Sequence, residues 1–171
     1  ESGHSEIAHA PEDMVIFSKP STSVIGPDDP IVIPSYSNDM NFEPEVAVIM
    51  GRIAKNVPVE KAMDYVLGFT CVNNVTLRDL QGLDPMWTRA KGFDTSCPLG
   101  PWIQTELDWK DAKISFTLNG EDVPMASGTT ANLIHGIPEQ IAAISSFSTL
   151  LPGDVIMTGT PNASGHLDPG D

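Results

Sequence analysis

Residues 41–51 read Asn41-Phe42-Glu43-Pro44-Glu45-Val46-Ala47-Val48-Ile49-Met50-Gly51. The run from Glu45 to Ile49, bounded by Gly51, reads as a buried strand. Side chains at i and i+2 of a strand share one face. Glu43 and Glu45 therefore project together where the chain enters the strand. Two carboxylates so placed repel unless a cation lies between them. A hard divalent ion such as Mg²⁺ or Ca²⁺ takes oxygen ligands and suits that position. The same spacing also fits two glutamates at a solvated strand end.

Outward from this strand, the 15 prolines and 14 glycines are spread along the chain, which marks many short elements joined by turns. Met14-Val15-Ile16-Phe17 and Ile31-Val32-Ile33 read as strands, and residues 34–41 as loop. Pro58 opens a short helix over Val59–Tyr65, since proline at a helix start gives up no hydrogen bond. Residues 66–75 are β-rich, and Thr76 fits a cap for a helical turn over residues 77–81. Lys113–Leu118 alternates polar and apolar and is followed by Asn119-Gly120, a strong hairpin signal. From Ala131 to Leu150 the apolar spacing becomes helical, and Pro138 divides it into two pieces. The sum is a β-dominated α+β domain with one substantial helix near residues 138–150. Regular strand–helix alternation is missing, which excludes a doubly wound fold.

The 171 residues suit a single domain, which at this size buries roughly 70% of its unfolded surface without a disulfide or metal staple. Nine basic against 23 acidic residues give a formal charge of −14. That argues against nucleic-acid partners and anionic membrane surfaces. Cys71 and Cys97 form no C-x-x-C pair, and a reducing, cytoplasmic setting is the simpler expectation. The sequence carries neither an apolar run of spanning length nor a visible signal peptide. It opens at Glu1 without methionine. At its end the turn Pro169-Gly170-Asp171 repeats Pro152-Gly153-Asp154, but with no strand after it. The expectation is one domain over residues 1–171, truncated at both ends.

Three further segments carry chemistry in their residue types. Asn73-Asn74 ends a strand, and an amide there is either a turn residue or a third oxygen ligand, with Arg78 and Gln81 facing the cleft. Lys91, beside Gly92, is either a surface lysine or a holder of a substrate carboxylate. Thr158-Gly159-Thr160 follows the strand-like Val155-Ile156-Met157 and is either a plain turn or an anion-binding loop. Cys97, next to proline with no basic cluster nearby, reads as structural. His4, His9, His135 and His166 fit no common ligand spacing. No nucleophile elbow, P-loop, HExxH or dinucleotide fingerprint is present.

Taken in order, four runs resemble the fumarylacetoacetate hydrolase superfamily: residues 42–52 (FEPEVAVIMGR), 68–81 (GFTCVNNVTLRDLQ), 89–94 (RAKGFD) and 152–161 (PGDVIMTGTP). The resemblance runs from about Val15 to the last residue. It is to the bacterial acylpyruvase, oxaloacetate decarboxylase and 2-hydroxyhepta-2,4-diene-1,7-dioate isomerase branch. It implies a mixed β-sandwich roll, a homodimer and a Mg²⁺ ion, with Mn²⁺ or Ca²⁺ as substitutes. Glu43 and Glu45 become ligands, with Asn74 at the third ligand position. Lys91 becomes catalytic, with Gln81 supporting the site, while Arg78, Thr158 and Gly159 bind substrate. Residues 1–13 become the remnant of a lid, on which Glu1 is the catalytic glutamate whose histidine partner lies before the first residue.

Two departures accompany the resemblance. Most members carry aspartate where this chain has Asn74, and the usual glutamate-glycine after Thr-Gly-Thr-Pro is replaced by Asn162-Ala163. A glutamine often found after the hairpin is also missing near Pro124 and Met125. The implied function is metal-dependent C–C hydrolysis, decarboxylation or isomerisation of a 2-oxo or β-diketo acid through a stabilised enolate. Hydrolase, lyase and isomerase activities of aromatic catabolism all share that intermediate. The alternative is a non-catalytic member whose metal site is weakened at Asn74. An acidic Ca²⁺-binding structural module has the charge in its favour but lacks a D-x-D-x-D-G loop.

Overall fold

A computed structural model describes residues 14–171. Two three-stranded sheets organise the chain. In the first, β3 (Pro44–Met50) lies between β4 (Val66–Asn73) and β11 (Val155–Met157), antiparallel to both. In the second, β2 (Met40–Phe42) lies between β5 (Thr76–Leu77) and β12 (Gly165–His166), again antiparallel. Smaller pairs complete the β content. β1 (Val24–Ile25) runs parallel to β6 (Cys97–Pro98), and β7 (Lys113–Ile114) pairs with β10 (Gly128–Thr129). β8 (Thr117–Leu118) and β9 (Glu121–Asp122) form a hairpin across Asn119-Gly120, both with positive φ (53° and 81°). That is the backbone the Asn-Gly pair predicts. Among the described residues three α-helices are present: the single turns α1 (Arg78–Gln81) and α2 (Thr88–Lys91), and the longer α3 (Ile137–Phe147).

Every residue of β3 is buried, so the continuous apolar run reflects cover on both faces. Val46, Val48 and Met50 join one core with Phe69, Ile156 and Ile137 and Ile141 of α3. Ala47, on the opposite face, packs with Val72 and Cys97. Glu45 shares the Ala47 face by the two-residue period. A separate core under the second sheet holds Met40, Phe42, Val75, Leu77, Ala90 and Phe93. Phe42 stacks on Phe116 with ring centroids 4.3 Å apart. Gly165 of β12 is required there, because a Cβ would lie 2.5 Å from the Phe42 ring.

Two strands pass from one sheet to the other. Glu43 alone separates β2 from β3, and Asn74 with Val75 separates β4 from β5. The two crossings are stitched together: the Asn74 N–H donates to the Glu43 carbonyl (2.8 Å), and the Glu43 N–H donates to Oδ1 of Asn73 (2.9 Å). This seam, where both sheets trade strands, places the candidate site.

Several expectations are corrected. Met14–Phe17 and Ile31–Ile33 are not strands; both are irregular. Ile31 and Ile33 are apolar because they pack on the second core, and Phe17 because it meets Trp87 edge-on. The segment 34–41 is loop only as far as Asp39, since Met40 and Asn41 are in β2. Thr76 caps no helix. It lies in β5, the residue before α1 is Leu77, and the Thr76 hydroxyl donates to the Asn74 carbonyl (2.9 Å). Residues 59–65 form a helix of the tighter 3₁₀ kind, and Lys113–Leu118 breaks into β7 and β8. Pro138 falls in the first turn of α3, after a separate 3₁₀ turn at Thr130–Asn132, so two helical pieces form as the spacing predicts. Among the described residues no helix is long and apolar enough to cross a membrane.

Candidate metal and oxo-acid site

Glu43 and Glu45 are both buried, at 8% and 3% exposure, so the solvated reading of the pair is excluded. Each carboxylate has its own partners. One oxygen of Glu43 accepts from Lys91 Nζ at 2.5 Å and the other from Arg78 Nη2 at 2.7 Å. Glu45 accepts from Asn74 Nδ2 on Oε1 (2.9 Å) and from the Gly159 N–H on Oε2 (2.6 Å). Gly159 has φ +96°, a left-handed conformation that glycine adopts without strain, and this turn aims its N–H at Glu45. Burial raises the Glu45 carboxyl above its usual range, and the two hydrogen bonds only partly offset that.

Asn74 is 3% exposed, and among the described residues its Oδ1 has no hydrogen-bond partner. Nδ2 donates to Glu45, so the atom left without a partner is the amide's acceptor oxygen. An unpartnered buried carbonyl oxygen costs about 1–3 kcal/mol, which a cation there would recover. Two carboxylates and an amide are all hard oxygen donors, the set that suits Mg²⁺, Mn²⁺ or Ca²⁺. Among the described residues no three His, Cys, Asp or Glu side chains group around a possible ion. The third donor here is an amide.

Lys91 ends α2 and is 3% exposed. Its Nζ also donates to Thr76 Oγ1 (2.6 Å) and lies 5.3 Å from the centre of the Phe17 ring. Burial lowers its pKa, opposed by the charge of Glu43. Arg78 opens α1 and donates to Gln81 Oε1 (2.5 Å) and Ser164 Oγ (2.7 Å) besides Glu43. Gln81 thus holds the guanidinium. Thr158 is 6% exposed, and its hydroxyl donates to the Val46 carbonyl (2.9 Å). Gln140 of α3 ties that turn down by donating to the Thr158 and His135 carbonyls, both at 2.9 Å. Burial raises the Cys97 thiol, which fits a packing role.

The seam therefore gathers Glu43, Glu45, Asn74, Lys91, Arg78, Gln81 and Gly159 into one hydrogen-bonded group, with Thr158 at its edge. Glu1, His4 and His9 lie outside the described residues. Asn73 and Thr76, read from the sequence as a strand end and a helix cap, support the group, as do Ser164, Gln140 and Lys19, for which the sequence suggested no role. The Lys19 ammonium donates to the carbonyls of Val75 (3.3 Å), Ser96 (2.9 Å) and Lys91, and to Ser96 Oγ (3.1 Å). Burial pushes its pKa down to about 8. Its only sequence signal was a lysine before a proline in an apolar segment.

Comparison with known proteins gives the arrangement its relatives. Protein Rv2993c of Mycobacterium tuberculosis is 46% identical over 164 residues, covering 94% of this chain and 61% of the relative. The chain therefore spans less than two thirds of that protein's length. The solved 5-carboxymethyl-2-hydroxymuconate delta-isomerase from Mycobacterium smegmatis superposes with a TM-score of 0.88 at 45% identity, over 93% of this chain and 62% of the other. Fumarylpyruvate hydrolase from Pseudomonas aeruginosa, solved with Mn²⁺ and pyruvate, gives 0.81 at 28% identity, over 90% and 70%. A family profile matches residues 2–171, and on it the chain belongs to the fumarylacetoacetate (FAA) hydrolase C-terminal family.

Proposed function

We propose that the protein carrying this chain is an enzyme of small 2-oxo or β-diketo acids, catalysing C–C hydrolysis, decarboxylation or isomerisation at a divalent-metal site formed by Glu43, Glu45 and Asn74. The observation that carries the reading is the unpartnered Oδ1 of Asn74 beside two buried glutamates. The solved relative with Mn²⁺ and pyruvate supports it. When bound, the ion supplies a Lewis acid for negative charge developing on substrate oxygens.

The chain's own residues do the rest. Lys91, buried and fixed by Glu43 and Thr76, presents a preorganised positive charge to the oxygen where charge develops. Arg78, partly exposed and held by Gln81 and Ser164, meets the substrate carboxylate. The Thr158-Gly159 turn closes the other side of the site and orients Glu45. In a hydrolytic reaction the same reading gives water activation to Glu1, which lies outside the described residues. Mg²⁺ as the resident ion, a homodimer, a cytoplasmic setting and a β-sandwich roll formed by the small sheets belong to the same reading.

The test is turnover of oxaloacetate and a panel of acylpyruvates by the full-length protein with Mg²⁺. The expected result is activity that EDTA abolishes and Lys91→Met lowers at least about 100-fold, the scale of an electrostatic contact of this kind. Absence of both turnover and metal binding would refute it. A second reading, a ligand-binding member without catalysis, is favoured by the neutral Asn74, and metal binding without turnover of any oxo acid would establish it.

A further inference from the structure

We infer that Asn74 couples the divalent ion to a doubly negative ligand, so that the site takes up ion and anion together and prefers the enolate of a 2-oxo acid, its enol proton released to solvent, to the keto form. The inference rests on the reading that Glu43, Glu45 and Asn74 hold the ion.

The balance of charge carries it. Glu43 and Glu45 contribute two negative charges. Lys91 and Arg78, bonded to the two oxygens of Glu43 at 2.5 and 2.7 Å, contribute two positive ones. These four side chains sum to zero, and the amide of Asn74 adds nothing. A bare divalent ion entering this group leaves a surplus of at least two positive charges in a buried setting, where uncompensated charge is costly. A keto acid brings one negative charge at its chelating end. Its enolate, with the adjacent carboxylate, brings two and cancels the ion.

The residue at position 74 sets which ligand closes the balance. With an aspartate there, the four side chains plus the new carboxylate would sum to −1, and ion plus a singly charged keto acid would come to zero. With asparagine, the same total needs the doubly charged form. The hydrogen bond from Nδ2 to Glu45 acts in the same direction. It settles Glu45 without an ion, whereas a carboxylate at the Nδ2 position, 2.9 Å from Glu45 Oε1, would demand one.

Calorimetry on the full-length protein tests this, with Mn²⁺ alone, with oxalate (two charges on its chelating oxygens) and with pyruvate (one), corrected for chelation in solution. The expected result is that oxalate tightens Mn²⁺ binding by about 100-fold, and pyruvate by less than about tenfold. Asn74→Asp should bind Mn²⁺ alone about tenfold tighter and narrow the gap between oxalate and pyruvate about tenfold. Arg78→Gln removes the same unit of charge without touching Asn74, and it too should tighten binding of the bare ion, which simple loss of a ligand contact would not do. If Asn74→Asp fails to fold by circular dichroism, the Arg78 variant decides. Tight binding of bare Mn²⁺ by the wild type, or variants that leave its affinity unchanged, would overturn the inference while leaving the metal site standing. No Mn²⁺ binding by any of the three proteins, even with oxalate, would instead remove the metal site itself, and the inference with it.

Discussion

Glu43→Gln keeps the size of the side chain and removes the counter-charge of Lys91. The Lys91 side chain is 4% exposed and that of Glu43 11%, so water barely screens the pair. After the substitution Nζ keeps a firm bond to Thr76 Oγ1, a neutral acceptor. Neutralising one partner of a buried pair costs about 3–5 kcal/mol. Arg78, with a third of its side chain exposed, turns to water and adds less than about 1 kcal/mol. A loss of about 3 kcal/mol with a urea slope of about 2 kcal/mol per molar lowers the unfolding midpoint by about 1.5 M. The assay is urea unfolding of the metal-free protein in EDTA, for wild type, Glu43→Gln, Lys91→Met and the double variant. Replacing both members of such a pair by uncharged groups is close to neutral, so the double variant should return to within about 1 kcal/mol of wild type. The deficit of Glu43→Gln should also shrink as pH rises, because Lys91 escapes by losing its proton. A single-variant loss below about 1 kcal/mol, or a double variant no better than Glu43→Gln, would refute the assignment of Glu43 as the counter-ion.

The other expectations are more local. Cys71 is exposed and Cys97 buried with its thiol raised, so at pH 8 a disulfide reagent should label Cys71 in the native protein and Cys97 only after denaturation, read by mass spectrometry of digests. Lys19 has a folded pKa of about 8, below the ordinary lysine value, so the folded state binds fewer protons than the unfolded one between about pH 8 and about pH 10.4. The stability of wild type relative to Lys19→Met should therefore rise with pH across that window and stay level below it. A difference that is flat or falls would show that Lys19 does not titrate as its burial requires. Gly165→Ala forces the new methyl into the Phe42 ring and should cost about 1–3 kcal/mol in thermal or urea unfolding, while displacing Ser164 from Arg78.

What was legible in the sequence was what depends on local pattern. The buried apolar run behind the two glutamates, the Asn-Gly hairpin and Pro138 at a helix start each carry their own geometry, and each formed as expected. Met14–Phe17 and Ile31–Ile33 were misread because Phe17, Ile31 and Ile33, which pack on neighbouring residues, and the exposed Val15, Ile16 and Val32 look like one strand pattern when only composition is visible. Thr76 was misread because a hydroxyl before a charged turn suits a cap. Here it serves Lys91, 15 residues away, and the partnership is decided by the packing of α2 on β5. Lys19 was invisible for the same reason. Its partners lie 56–77 residues further along the chain, and no spacing records that. The resemblance named the members of the site, but the division of labour among them, with Glu43 tied to cations and Glu45 to neutral donors, came only with coordinates.

The seam at which two strands change sheets has a consequence for how the molecule comes apart. The core beneath β3 and the core beneath β2 share no side chain in their buried sets, so each can open as a unit of its own. Glu43 and Asn74 stand at the two crossings between them. A ligand gripped there loses its hold if either unit opens, so its binding energy falls on both at once. The occupied site then works as a rivet, and hydrogen exchange at amides on either side slows together as the site fills.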